Sequence, residues 1–253
     1  MIVKTRPLTV QRGGNDHLDN LYAHQGRFRE TSQMLDHAIE IDLELGNETN
    51  LASTYVQQAF WLMVGGNNRE RAEEVMGKVL ELGDFGTGAS YYQLLIVYLN
   101  LGEYEKASQV VQEHLIHIVP TVGQLLSGYR HMAWGEYDES IEAFRKAQYG
   151  WGHGGEPGNL ELGRLYLNLG DYQKALETAR RMQRFHTYYA TRAMQYPRSF
   201  YLMGQIYEQQ GDRKLAIENY GKFLDLWKDA DEGLPELIDA KARHKRLKTL
   251  TSS

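Results

Sequence analysis

The chain has 253 residues, of which 42% are hydrophobic and 24% charged, with a formal net charge of −5. This composition suffices for a folded body and excludes an intrinsically disordered protein. The small net charge gives no overall attraction to nucleic acid or to anionic membranes. The absence of cysteine excludes disulfides, thiolate metal sites and cysteine nucleophiles.

From the sequence we expect neither a secretion signal nor a membrane span. Residues 1–10 include two basic residues and a proline, without a continuous apolar core. The longest apolar run, 94–101, is far shorter than the roughly 20 residues of a transmembrane helix. We therefore expect a cytoplasmic protein that has no contact with a membrane.

A ten-residue segment occurs twice: YLNLGEYEKA begins at Tyr98, and YLNLGDYQKA begins at Tyr166. Looser copies surround further glycines, and the steps between these turn glycines are 40, 36, 33, 35 and 41 residues. The turn glycines are Gly26, Gly66, Gly102, Gly135, Gly170 and Gly211. A period of about 34 residues predicts an array of structural repeats.

Each repeat has the pattern of a helical hairpin. Apolar residues at helical spacing lead up to the glycine, as from Tyr91 to Leu101, and predict a first amphipathic helix. A polar residue and, in most copies, an aromatic residue then begin a second helix, which carries a small residue where the two backbones approach. These small residues are Ala107, Ser140, Ala175 and Ala216. A single hairpin cannot bury its apolar faces alone, so we expect hairpins to stack, each contacting its neighbours.

These units resemble the tetratricopeptide repeat, which places small residues, a tyrosine, a glycine, alanines and an aromatic at set offsets. The last clear unit carries Gly204, Tyr207, Gly211, Ala216, Tyr220 and Phe223 at those offsets. The resemblance implies an all-α fold, a right-handed α-solenoid of about six helical hairpins plus a C-terminal capping helix. The last units also resemble the C-terminal repeat regions of bacterial multidomain signalling proteins.

The alignment on these offsets divides the chain into a tail, an array and a cap. We place an N-terminal tail at 1–11, the array at 12–230 and the capping helix at 234–250. The predicted units of the array are 12–45, 53–86, 88–121, 121–154, 156–189 and 197–230.

The resemblance also implies a binding surface, because positions 2, 5, 9, 12 and 13 of each unit line the concave groove in this family. The candidate peptide-binding groove is thereby Trp61, Tyr92, Ile96, Leu99, Asn100, Tyr129, Met132, Leu160, Arg164, Asn168, Tyr201 and Gln205. Rigid aromatics with a few amides suit the capture of a peptide. The alternative for each aromatic is packing inside the array, and each asparagine is equally suited to capping its own helix.

Charge is uneven along the chain. Between Gln173 and Arg198 there are six basic residues and one acidic residue, with tyrosines among them. The arginines of this candidate anion patch are Arg180, Arg181, Arg184, Arg192 and Arg198. We do not expect nucleic acid as the partner, because such charge runs are usually solvated. Acidic residues near the other end raise head-to-tail self-association as a further option.

No constellation of catalytic or metal-binding residues is evident. His114 and His117 are three residues apart but lack further ligands, and the glycine-rich stretches 83–88 and 150–155 follow no strand. We therefore expect a protein that is not an enzyme and carries no cofactor or metal. The predicted function is a protein- or peptide-binding scaffold. The alternative is a ligand- or peptide-sensing module of a bacterial signalling protein, which would act on a kinase, a cyclase or a transcription regulator.

Overall fold

The computed structural model describes residues 18–65, 68–82, 88–117, 121–147, 158–184 and 193–251. Within these ranges all regular structure is helical, so the predicted all-helical class is confirmed. None of the described helices is both long enough and apolar enough to cross a bilayer. The predicted tail 1–11, the turn glycine Gly66, most of the stretch 83–88, the stretch 150–155 and Arg192 lie outside the described residues.

Thirteen helices account for the described part of the chain, and most of them form consecutive pairs. They are α1 Leu18–His24, α2 Phe28–Leu45, α3 Glu48–Val64, α4 Arg69–Leu82, α5 Gly88–Leu101, α6 Tyr104–Val110 with a π-helical continuation Val111–Leu115, α7 Val122–Trp134, α8 Tyr137–Ala147, α9 Gly158–Asn168, α10 Tyr172–Gln183, α11 Gln195–Gln209, α12 Arg213–Leu226 and α13 Pro235–Thr251.

Glycines in the left-handed conformation close the first helices. Gly102 and Gly170 have φ of 77° and 76°, values that residues with a Cβ rarely adopt. In both copies of the repeated segment the amide after the glycine donates to a carbonyl five residues back, from Glu103 to Tyr98 and from Asp171 to Tyr166, each at 2.9 Å. These hydrogen bonds satisfy carbonyl groups at the C-terminal end of each first helix. The repeated ten-residue segment therefore forms the same hairpin turn in both places.

The polar residue after the glycine begins the second helix. Asp171 accepts a hydrogen bond from the amide of Lys174 at 3.2 Å, and Asp212 accepts one from the amide of Leu215 at 3.0 Å. Each carboxylate thus satisfies an amide that has no partner within its own helix.

Small residues set the distance between the two helices of a pair. Ser140 is fully buried, and its hydroxyl donates to the carbonyl of Gly128 at 2.8 Å, which joins α7 to α8. A Cβ added at Gly128 would lie 2.6 Å from the ring of Phe144. Only glycine therefore permits this ring to pack into the hairpin.

The two ends of the array contact each other. The turn between α1 and α2 packs against the turn between α12 and α13, where the ring of Phe28 meets Trp227 edge-on at 6.1 Å between centroids. The amide of Asp231 donates to the carbonyl of Gly26 at 3.0 Å, and the amide of Arg29 donates to the Asp231 carboxylate at 2.9 Å. The expectation that units contact only their neighbours is therefore wrong for the terminal pairs. The solenoid closes into a ring.

Helix α13 lies parallel to α11 and packs on α12. Its residues Glu236, Asp239 and Arg246 contact Arg198, Tyr201 and Glu208 in the same order along α11. The buried residues Leu237, Ala240 and Leu247 face the array. The unit boundaries and the limits of the cap remain predictions.

Candidate functional site

The first helices of the pairs converge on a central cavity of about 140 Å³. Helices α3, α5, α7, α9 and α11 and the start of α13 all contribute side chains to it. The lining residues are Phe60, Met63, Val64, Ile96, Asn100, Tyr129, Leu160, Glu161, Arg164, Met194, Gln195, Arg198 and Glu236. Apolar side chains occupy one part of the wall and charged side chains the other.

Two arginines share one carboxylate at the cavity. Arg198 donates to Glu236 at 2.8 Å, and Arg164 donates to the other oxygen of Glu236 at 3.0 Å. The second contact of Arg198 is the carbonyl of Val64 at the end of α3, at 2.9 Å. The Arg198 side chain is 13% exposed and that of Arg164 is 43% exposed. This charged cluster joins α3, α9, α11 and α13 across the axis of the ring.

A second carboxylate, Glu161, lines the cavity one helical turn before Arg164. Its Oε2 is buried and has no hydrogen-bond partner among the described residues. Burial raises the pKa of Glu161, although the nearby charge of Arg164 opposes that shift. Burial also raises the pKa of Tyr129, whose hydroxyl interacts with Glu161, well above its ordinary value. The cavity wall thus carries an ionisable group that water solvates poorly.

Among the described residues, exposed predicted groove positions lie near the C-terminal ends of the first helices. Asn100 and Asn168, which are equivalent in the two copies of the repeated segment, are exposed, and Met132 is half-buried. The amide of Asn100 donates to the carbonyl of Ile96 in its own helix at 2.8 Å. We call these three residues and the partly exposed Arg164 the open rim.

Helix α13 covers the last part of the concave side. The hydroxyl of Tyr201 donates to Asp239 at 2.7 Å, and the amide of Gln205 donates to that hydroxyl at 3.0 Å. Glu208 accepts hydrogen bonds from Tyr220 at 2.8 Å and Arg243 at 3.0 Å, and also from Arg246. Of the two predicted groove residues here, Tyr201 binds the chain's own last helix, and Gln205 binds the Tyr201 hydroxyl within α11.

Comparison with known families agrees with this architecture. The sequence profile of the tetratricopeptide repeat matches residues 88–113, 158–181 and 197–226, which cover most of the pairs α5–α6, α9–α10 and α11–α12. The chain is a tetratricopeptide repeat protein. A search of curated proteins found no match to the chain. Tetratricopeptide repeats generally serve as non-catalytic scaffolds for protein interaction.

In this tetratricopeptide array most of the predicted groove residues are buried. The buried ones are Trp61, Tyr92, Ile96, Leu99, Tyr129, Leu160 and Tyr201. Five predicted residues line the cavity, namely Ile96, Asn100, Tyr129, Leu160 and Arg164. Large side chains from several first helices fill much of the axis, and the cavity of about 140 Å³ adjoins a pocket of about 300 Å³ that shares Arg164, Arg198 and Glu236 with it. A wide open groove is absent from the described part of the chain.

The arginines of the predicted anion patch fall into two groups. Arg180 and Arg181 are in the last turn of α10, with Arg184 directly after it, where positive charge is favourable for the helix dipole. Arg198 is on α11 and points into the cavity, where it binds Glu236. The patch is therefore not one surface in the described residues.

Glu161 and Glu236 were not predicted as site residues from the sequence, although they are the two carboxylates of the cavity wall. Glu161 follows a predicted groove position by one residue, and a carboxylate between Leu160 and Leu162 was the available signal. Glu236 belongs to a helix that was treated only as a cap. Its contact with Arg164 joins residues 72 positions apart, which no local pattern indicates. No group of three or more potential metal ligands occurs among the described residues.

Proposed function

We propose that this tetratricopeptide repeat protein is a non-catalytic scaffold that binds an extended peptide or a helix of a partner along the open rim. The observation that carries the proposal is the exposure of Asn100 and Asn168 on an otherwise filled concave side. An asparagine side chain can donate two hydrogen bonds and accept two, and Asn100 uses one donor for its own helix. Amides spaced along first helices suit a peptide main chain.

The cavity next to the rim supports an anchored mode of binding. Asn100 and Arg164 belong to both the rim and the cavity wall. A peptide on the rim would insert one side chain between Ile96 and Leu160, since buried anchors in pockets give most of the binding energy in protein interfaces. The buried aromatics Trp61 and Tyr92 would act through the fold and not by contact.

Substitutions on the rim test this proposal directly. A random-peptide library is selected against the wild-type chain, and the affinities of the selected peptides are then measured for Asn100→Arg and Asn168→Arg. We expect each variant to weaken binding about tenfold or more, because a long charged side chain blocks the rim. Gln112→Arg and Gln173→Arg, on the outer helices, are the matched controls. Equal affinity for all four variants would refute the rim as the site.

The closed ring favours regulation as a second candidate function. Arg198 connects the cavity to the end of α3 and, through Glu236, to α13. A ligand that competes for these groups would shift the balance between closed and open rings. The cytoplasmic location, the link to bacterial signalling and self-association remain predictions.

A further inference from the structure

We propose that the central cavity binds a free α-amino acid with an apolar side chain, its ammonium group at Glu161 and its carboxylate at Arg164. The proposal goes beyond the scaffold function. It uses the cavity beside the open rim, and it holds whether or not a peptide binds along that rim.

The first argument is the uneven distribution of charge around the cavity. Glu236 receives two guanidinium groups, so positive charge exceeds negative charge at that side. Glu161 has the Tyr129 hydroxyl beside it, and its Oε2 accepts no hydrogen bond from the described residues. The four charged side chains sum to zero, but the wall has a positive side and a negative side. A ligand that carries both charges preserves neutrality, whereas one with a single charge leaves an uncompensated charge in a partly desolvated site.

The second argument is the spacing of the two side chains on α9. Residues three apart on a helix have Cβ atoms about 5–6 Å apart on the same face. Among the described residues Glu161 and Arg164 form no ion pair with each other, and both side chains line the cavity. The ammonium and carboxylate of an α-amino acid are attached to one carbon, so two flexible side chains on one helix face can each bind one of these groups through a charge-assisted hydrogen bond.

The third argument is the size and chemistry of the rest of the cavity. Its apolar wall consists of Phe60, Met63, Ile96, Leu160 and Met194. Its volume of about 140 Å³ has the scale of one aliphatic or thioether side chain with its head group, and it adjoins a pocket of about 300 Å³ that shares Arg164, Arg198 and Glu236 with it.

The test separates the charges of the ligand with three probes of the same carbon skeleton. L-leucine carries both charges, isoamylamine carries the ammonium alone, and 4-methylvalerate carries the carboxylate alone. Binding is followed by NMR of ¹³C-methyl-labelled methionine, since Met63 and Met194 line the cavity. We expect L-leucine to shift these two signals saturably, and each single-charge probe to bind at least about tenfold more weakly.

Charge-removing variants identify the groups that hold the head group. Glu161→Gln and Arg164→Gln should each weaken L-leucine binding by about tenfold or more. Glu142→Gln and Arg145→Gln are the matched controls, because they form an exposed pair with the same spacing on α8, 3.3 Å apart. Where a cavity variant fails to fold, the three probes on the wild-type chain decide alone.

Three results would overturn the proposal. They are equal binding of isoamylamine and L-leucine, equal binding of 4-methylvalerate and L-leucine, and no shift by any probe up to its solubility. The Asn168→Arg variant separates this proposal from the scaffold function, because Asn168 does not line the cavity. In Asn168→Arg, loss of peptide binding with intact L-leucine binding supports both proposals. In the wild-type chain, peptide binding without L-leucine binding refutes only this one.

Discussion

The indole Nε1 of Trp227 donates a hydrogen bond of 3.1 Å to the backbone carbonyl of His24, a residue 203 positions earlier in the chain. Trp227 is only 1% exposed, although it follows the last helix of the array. The His24 ring also lies 2.8 Å from the carbonyl of Ala193 and stacks on Tyr196. These contacts make the first and last hairpins neighbours in space.

Trp227→Ala should lower the free energy of unfolding by about 3–5 kcal/mol, because the substitution leaves a large cavity at the point of closure. The measurement is urea denaturation followed by circular dichroism. Trp134→Ala is the control, since Trp134 is 61% exposed and its loss should change stability by no more than about 0.5 kcal/mol. Similar values for both tryptophans would contradict the assignment of Trp227 to the closing contact.

Gly26→Ala should destabilise the chain more than Gly102→Ala. Both glycines have φ above 70°, so each substitution costs about 1–2 kcal/mol from the left-handed backbone alone. At Gly26 the new Cβ would also lie 2.8 Å from the Cβ of Ala230, whereas nothing lies within 4 Å at Gly102. The steric conflict adds about 1–3 kcal/mol. Equal losses in parallel denaturation experiments would mean that the two turns are not in contact.

Glu208 should make stability depend on acid pH. Burial raises the pKa of this carboxyl, but hydrogen bonds from Tyr220 and Arg243 and the charge of Arg243 outweigh that effect and hold the pKa below its ordinary value of 4.5. A lowered folded-state pKa stabilises the fold above the unfolded-state pKa, and this contribution is lost as the pH falls through the folded-state pKa. We expect Glu208→Gln to flatten the decline of stability below about pH 4.5, whereas the exposed control Glu177→Gln should leave that decline intact.

Arg198→Met should lower the free energy of unfolding by about 1–3 kcal/mol, because Glu236 and the Val64 carbonyl each lose a charge-assisted hydrogen bond. Arg180→Met changes an exposed residue of the same predicted anion patch and should stay within about 0.5 kcal/mol. Thermal and urea denaturation of both variants provide the comparison. A large loss of stability in Arg180→Met with none in Arg198→Met would contradict the assignment of Arg198 to the buried cluster and of Arg180 to the exposed surface.

Features determined by neighbouring residues could be predicted from the sequence. The repeated segment beginning at Tyr98 and Tyr166 indicated two equivalent hairpins. The glycines four residues later, Gly102 and Gly170, have the expected left-handed backbone. The turn at Gly46, with φ of 63°, was missed because it connects one pair to the next and is not part of the repeat pattern. Local signals of this kind act within a few residues.

Closure and the filled axis could not be predicted in the same way. The contact between Trp227 and His24 depends on small rotations summed over every successive pair, and no residue pattern encodes that sum. The groove positions implied by family resemblance assume an open concave face. Once the ring closes, residues such as Tyr92 and Ile96 on that face become core, and the charged residues between them form the cavity wall.

The contact between the end turns also fixes how many hairpins the array contains. An open stack tolerates the gain or loss of a whole unit, because only the adjoining interfaces change. In this ring an additional hairpin between Gly26 and Trp227 would rotate one end turn away from the other and expose Phe28 and Trp227 together. Duplication of a single unit, which an open array accommodates by growing longer, would here separate the two end turns.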